Sequence, residues 1–533
     1  MNQAQTDPIV VPGIAAQVSS NDIPLSSKVI RNAAFGGLRY AILAPIPFVM
    51  TPLILRKIGV GGYGTWAVFL AINGLTSLAD LGLVGTLSKF VAQYYARRDF
   101  AALARVLNSG LTLFMSLAAV IATSLLVSAP WLTSTLFRDS NVDAIDLTVL
   151  FRFFVVVVAA NVLILLFASA TTGMQRLDIT NMISAGNVIL NAFFSAILLL
   201  GGLGLRGLVF GYIASSVLTL GAYVIMVRKL LPQVQMNPLQ FDMTEARHMF
   251  GFSFRLYVTQ AAVTVHNQVE KIFLSLLVGV AAVGWYDIAS DVALKIRGAI
   301  GFVLSPVLPA ASELDALGDE RRICELYFRT HKYLALVGIP AICYVVAISN
   351  RFVELWLGSG LRMIAYPMAA LAAIGLINLF TGPGFLIFAG SDNLKPGMRA
   401  AILGIILNVL LSFGLIYKYG FAGAVIGTSA SLIIAAAYFV WVFHRDTNYS
   451  FFRLLRESYV KPMVCSVAVL LLLVRVHSVR DLSWFGLVVL AVTFGALYSA
   501  LILLSRFFDA YDWNRIEAFV PGVKHVRRLV RFA

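Results

Sequence analysis

Residues 255–279 read RLYVTQAAVTVHNQVEKIFLSLLVG, an apolar run of bilayer-crossing length that nevertheless carries Arg255, His266, Glu270 and Lys271. A charged side chain costs at least about 2.5–3.5 kcal/mol at mid-membrane on insertion scales, so such groups persist only where something offsets that cost. At 100° per residue, Arg255, Thr259, His266 and Glu270 fall within about 60° of one another on a helix. Gln260, Asn267 and Lys271 form a second stripe beside them, and the remainder is apolar. In the next apolar segment Asp287, Asp291 and Lys295 stack at i, i+4 and i+8, with Arg297 following. Arg39 lies in the first apolar segment, ahead of Pro45, Pro47 and Pro52, which predict a bent or broken helix. Guanidinium forks suit phosphate and Lys supplies a point charge. A cavity holding Arg39, Arg255, Lys271, Lys295 and Arg297 would therefore take an anionic, amphiphilic ligand. Asp80, His266, Glu270, Asp287 and Asp291 are the candidates for a coupling ion. Blander readings stand beside these. Lys295 and Asp291 can neutralise each other as an i, i+4 pair. His266 can be a satisfied interior histidine, Arg39 and Arg255 can snorkel from span ends, and Asp80 can fix a helix contact.

The elements that must carry these groups follow from composition. The chain has 533 residues, 59% hydrophobic and 13% charged. Soluble domains are about 45–50% apolar and about 25% charged, so this is an all-α integral membrane protein. Fourteen segments reach spanning length, the first at 33–55 and the last at 482–504. The net charge of +15 would suggest nucleic acid on a soluble chain. Here 26 of the 41 Lys and Arg fall on one set of connections, the topology bias of a multi-pass protein. Both termini are then expected to be cytoplasmic, with no nucleic-acid partner. Six basic residues inside spans are not explained this way: Arg39, Arg152, Arg255, Lys271, Lys295 and Arg297. Cys324, Cys343 and Cys465 have no metal or redox spacing.

The chain also repeats itself. Asn161, Gly173, Leu177, Asn191 and Ser195 recur 217 residues later as Asn378, Gly390, Leu394, Asn408 and Ser412. GLRGLVFGYIAS (204–215) recurs as GFAGAVIGTSAS (420–431), and GVGGYGTW (59–66) is similar to GVAAVGW (279–285). Two parallel six-helix repeats are expected around a central cleft, related by a pseudo-two-fold along the membrane normal. The expected divisions are a disordered cytoplasmic tail at 1–27, halves at 28–228 and 229–445, an added helix pair at 446–504, and a basic amphipathic cytoplasmic tail at 505–533.

No Walker loop, dinucleotide fingerprint or zinc motif occurs. No catalytic residue, metal or cofactor is therefore expected, and an enzyme is the weaker class. A membrane glycan polymerase or ligase would need a nucleophile or acid near the outer face.

The opening stretch, RNAAFGGLRYAILAPIPFVMTPLILRKIGVGGYGTWAVFLAINGLTSLADLGLVGTLSKFVAQYYARRD, resembles the polysaccharide-transporter, or Wzx-type, flippases of the multidrug/oligosaccharidyl-lipid/polysaccharide exporter superfamily. Arg39, GVGGYGTW, ADLGLVG with its basic following segment, and the duplicated glycine pattern carry the resemblance over roughly residues 28–445. It implies flipping of polyprenyl-pyrophosphate-linked oligosaccharide from the cytoplasmic to the periplasmic leaflet of a bacterial inner membrane. The cavity would take the pyrophosphate and sugars while the tail stays in membrane lipid. Polysaccharide polymerase and chain-length proteins are implied as neighbours. A lipid II-type flippase and an ion-coupled multidrug exporter are the alternatives, the latter predicting a cavity dominated by acids and aromatics.

Overall fold

The computed structural model describes residues 43–80, 82–140, 143–252, 254–476 and 481–519. Arg39, the tail at 1–27 and the basic stretch from 520 onward lie outside the described residues. Regular structure among the described residues is helical throughout, with no strand. The first half comprises α1 (Pro45–Thr76), α2 (Leu83–Ala96), α3 (Phe100–Leu136), α4 (Ala144–Gly173), α5 (Leu177–Leu200) and α6 (Gly204–Leu230). A short α7 (Met243–Phe252) leads into the second half. That half comprises α8 (Phe254–Leu277), α9 (Val280–Gly301), α10 (Val307–Ala316), α11 (Glu320–Leu357), α12 (Ala365–Leu379), α13 (Gly382–Gly390), α14 (Lys395–Tyr419) and α15 (Phe421–Thr447). Beyond it lie α16 (Phe451–Leu454), α17 (Lys461–Val476), α18 (Trp484–Leu504) and α19 (Ala510–Phe519).

Eleven helical segments among the described residues are long and apolar enough to cross a membrane, against fourteen expected. The difference has three sources. The first two expected spans run together as α1, interrupted only by the backbone of Gly59 at φ 69° and ψ −179°. The 24-residue α8 carries the polar stripe that lowers its apolar content. The third, α17, has only 16 residues.

The duplication is visible as matched contacts. Gly59 and Gly279 both take positive φ, 69° and 123°, a conformation that side chains resist. Each sits where one span turns into the next. A Cβ on Gly64 would fall 1.7 Å from the Val280 carbonyl oxygen, and one on Gly284 would fall 3.0 Å from that of Val60. Positions 60 and 64 thus meet 280 and 284 reciprocally, as a pseudo-two-fold requires. Within the first half Asn191 donates to Ser215 Oγ at 3.3 Å; within the second, Asn408 donates to Ser431 Oγ at 3.4 Å. Gly211 lies against Ser195 and Gly427 against Ser412 in the same way. The small residues of the recurrent pattern are there because α5 and α6, like α14 and α15, approach backbone to backbone.

The halves meet along α1, α8 and α9, from the Gly64–Val280 contact to the Tyr257 hydroxyl, which donates to the Leu78 carbonyl at 2.6 Å. The added pair α17 and α18 packs on α11, where Tyr344 donates to the Leu487 carbonyl at 2.5 Å and Tyr498 to the Leu336 carbonyl at 2.9 Å.

The connection between halves, residues 231–242, is strapped to α3. Buried Asn108 donates to the Gln235 carbonyl at 3.2 Å and to Gln240 Oε1 at 3.0 Å, and accepts from the Asn237 N–H at 2.9 Å. Ser109 accepts from the Asp242 N–H at 2.9 Å. The Asp242 carboxylate caps α7, and the N–H groups of Thr244 and Glu245 hold it below the usual carboxylate range. Asn108→Ala removes three bonds and strands their partners, so a loss of about 1–3 kcal/mol is expected. Thermal unfolding in detergent micelles should show a lower midpoint together with faster proteolysis within 231–242. An unchanged midpoint would mean that the strap contributes nothing.

Candidate functional site

The polar side chains of α8 and α9 separate into three groups, each set by the helix it faces. Lys271 looks across to α9, where its Nζ lies 2.6 Å from Asp287 Oδ1. The other oxygen of Asp287 accepts from the Tyr63 hydroxyl at 2.9 Å, so this buried node joins α8 and α9 to α1 of the other half. Glu270, fully buried, faces the opposite way. Its Oε1 accepts from Asn408 Nδ2 of α14 at 2.5 Å and from Thr428 Oγ1 of α15 at 2.9 Å. Tyr286 of α9 bonds to the same Thr428 hydroxyl at 2.8 Å. Glu270 Oε2 and Asn408 Oδ1 make no hydrogen bond among the described residues. A carboxylate oxygen and an amide oxygen, both without a donor, suit a proton or a hard cation.

The third group lines a chamber inside the second half. It is a partly open space of about 340 Å³, lined by His266 and Asn267 of α8, Arg297 of α9, Asn378 of α12, Thr381 and Phe385, among others. A smaller cavity of about 50 Å³ shares His266, Asn267 and Arg297 and reaches Tyr286 and Thr428, neighbours of Glu270. Arg297 has no carboxylate partner among the described residues. Lys295 pairs with Asp291 one turn away on the same helix.

Of the residues expected from sequence, Arg297 and His266 are brought together, and Lys271 is brought to Asp287. Arg39 lies outside the described residues, as does the side chain of Arg255. Asp80 stands apart from the other acids, with its Oδ1 accepting the Gly82 N–H at 2.9 Å. The two stripes of α8 stay apart at Glu270 and Lys271, which face different helices, but merge at His266 and Asn267, which line one chamber. The reason is that α8 is covered on different sides by α1, α9, α14 and α15, so each neighbour takes its own sector.

The model of the family described as polysaccharide biosynthesis protein matches residues 29–315, more than half of the chain. The chain belongs to the polysaccharide biosynthesis protein family. The family read from the opening residues is thereby borne out. Relatives of this member include the "Putative O-antigen transporter" of Shigella flexneri, 19% identical over 421 residues that cover 78% of this chain and 98% of the relative. Another is the "Probable low-salt glycan biosynthesis flippase Agl15" of Haloferax volcanii, 20% identical and covering 73% of this chain and 78% of the relative. Among solved structures, the lipid II flippase MurJ in an inward closed conformation superposes with a TM-score of 0.70 at 16% identity. That match covers 89% of this chain and 98% of MurJ. An inward-facing multidrug resistance transporter of the MATE family gives 0.62 at 15% identity, over 77% of this chain and 97% of that one. These two likenesses establish the fold of this family member, a multi-pass helical architecture.

Sequence reading missed Tyr63, Tyr286, Thr428 and Asn378 as site neighbours. Asn378 and Asn408 did carry a signal, since both belong to the repeat. What marks Asn408 out is that it donates to an acid, Glu270, whereas the equivalent Asn191 donates to Ser215. At the spacing of 220 that relates Gly59 to Gly279, Glu270 corresponds to Met50. The acid belongs to one half only.

Proposed function

We propose that the protein flips polyprenyl-pyrophosphate-linked oligosaccharide from the cytoplasmic to the periplasmic leaflet of the bacterial inner membrane by alternating access between its halves. Both termini would lie in the cytoplasm, and the protein would be a transporter rather than an enzyme, feeding polysaccharide polymerase and chain-length proteins. The names of the Shigella and Haloferax relatives support the substrate class. The observation that carries the reading is Arg297, a guanidinium within the membrane body that faces a chamber with no carboxylate, among the described residues, to neutralise it. Taking a phosphate-bearing head group through hydrocarbon without replacing its water is prohibitive. A forked cation replaces that water. The chamber holds phosphates rather than several sugars, which leaves the sugars to the seam between halves. Arg39 and Arg255 complete the cationic path in this reading, with Lys271 and Lys295 as bases that exchange an acid for the substrate. Asp80, His266, Glu270, Asp287 and Asp291 remain the coupling candidates, with Glu270 foremost because its carboxylate keeps an oxygen without a donor.

The test is reconstitution in liposomes with a fluorescent polyprenyl-pyrophosphate oligosaccharide whose leaflet exposure is followed. Charge-assisted bonds of about 1.5–3 kcal/mol make a roughly ten- to hundredfold slower rate the expected result for Arg297→Ala, with Arg39→Ala and Arg255→Ala beside it. Absence of flipping with any lipid-linked glycan would remove the function. Undiminished flipping by Arg297→Ala would keep the function and discard this site.

A further inference from the structure

A second basic cavity, which shares no lining residue with the chamber, lies between α11, the segment leading from α16 into α17, and the approach to α19. It encloses about 850 Å³ and is lined by Arg321, Arg329, Lys332, Arg453, Arg456 and Lys461, against the acids Glu325, Glu457 and Asp509. The acids are already engaged. Glu325 and Asp509 pair with Arg329 at 2.7 and 3.2 Å, and Glu457 pairs with Arg453 at 3.0 Å. Arg321, Arg456 and Lys461 meet no carboxylate among the described residues. Lys461 donates to the Arg506 carbonyl at 3.1 Å.

The local winding puts these bases together. Residues Leu455–Val460 form a π-helical turn leading into α17. Its i→i+5 repeat brings residues five apart to one side, where an α-helix would set them about 140° apart. Arg456 and Lys461 therefore line the same wall. The opposite wall is fixed by α19, whose buried Asp512 accepts from Arg329 at 3.2 Å and from Tyr333 at 2.6 Å and also binds Lys332. Aromatic rings back the cations, with Arg453 4.8 Å from the Phe328 ring centre and Lys332 5.0 Å from that of Phe507. The end of this turn and the start of α17 present exposed Val460, Met463 and Val464. A cationic cavity thus abuts an apolar, lipid-facing surface.

We propose that this cavity binds a phosphate-bearing anion, supplied by the headgroup of an anionic membrane lipid, and that the lipid ties the added helix pair to the body. Basic residues at a membrane surface attract anionic lipid roughly additively, and excess positive charge selects a headgroup of net negative charge over a zwitterionic one. The inference does not depend on which substrate the protein flips.

The test uses the full-length protein in neutral-detergent micelles titrated with fluorescent phosphatidylglycerol, with phosphatidylcholine as the neutral control. Phosphatidylglycerol should bind in preference. Arg456→Ala/Lys461→Ala should weaken it about 25-fold, at about fivefold per base. Arg321→Ala, on a different wall, should weaken it about fivefold, and Lys395→Ala/Arg399→Ala should leave it unchanged. Equal binding by the wild type and both cavity variants would overturn the site. Glycerol phosphate binding as tightly as phosphatidylglycerol would overturn the lipid as the source and assign the cavity to a soluble phosphate ester.

Discussion

Lys271→Met is expected to destabilise the protein by about 3–5 kcal/mol, because it leaves the buried Asp287 charge with only a tyrosine hydroxyl for company. Asp287 is 9% exposed, and its two oxygens are taken by Lys271 and Tyr63. Methionine fills the lysine stem's volume, so the loss reports charge rather than packing. Lys271→Met/Asp287→Asn should recover most of the stability, since no unpaired charge then remains and Asn can still accept from Tyr63. Thermal unfolding in detergent micelles measures both. The two variants also separate a latch from a ligand. If Lys271 exchanges Asp287 for the substrate's pyrophosphate, the double variant folds but does not flip the lipid-linked glycan. Restored flipping alongside restored stability would reduce the pair to a structural latch between α1, α8 and α9. The position of Tyr63 makes exchange the expected outcome. A substrate that draws Lys271 away frees Asp287 at the seam between halves, where a change of partner is felt by both.

The residues that define the fold in sequence are those with no freedom. Gly64 and Gly284 are small because a carbonyl of the other half stands where a side chain would be. Asn191 and Asn408 recur because each holds the serine of a neighbouring helix. Close backbone approach leaves a compositional trace at fixed spacing, so the duplication is legible from residue spacing alone. The span count is less legible, because the break at Gly59 is a single residue and α17 has only 16 residues. The site is legible in part. Ionisable side chains in apolar runs stand out in any membrane sequence, and Lys271, Asp287, Glu270 and Arg297 all stand out that way. Which of them face one another is not legible. Periodicity orders residues around one helix, whereas their partners come from α1, α14 and α15, at distances in sequence of 138 residues for Asn408 and 224 for Tyr63. Thr428 and Tyr286 leave no signal, since a hydroxyl in a spanning helix commonly bonds to its own backbone, as Ser429 does to Val425.

Glu270→Gln should abolish ion-driven accumulation while leaving the fold and passive exchange intact. The amide keeps the shape of the side chain and one carbonyl oxygen for Asn408 and Thr428, so the interhelical bonds of α8 with α14 and α15 persist. What it removes is the negative charge by which the carboxylate would bind and release a proton or cation. A charge moved across 100 mV carries about 2.3 kcal/mol, which is about fiftyfold in a concentration ratio. Liposomes held at about 100 mV should thus reach a leaflet ratio about fiftyfold lower with the variant than with the wild type, provided one ion is coupled per cycle. With no gradient, the two should equilibrate the fluorescent lipid at similar rates. Thr428→Val should fall between them, because it removes one donor to the carboxylate and leaves its charge. The same gradient response in wild type and Glu270→Gln would exclude this carboxylate as the coupling site. Asp291 would then be the next acid to test, because its partner Lys295 lies on its own helix and follows it through any rocking of the halves. Loss of both driven and passive movement in Glu270→Gln would carry a different meaning. The carboxylate would then be needed for the conformational step itself, since the empty cationic chamber cannot return across the membrane unless an acid travels with it.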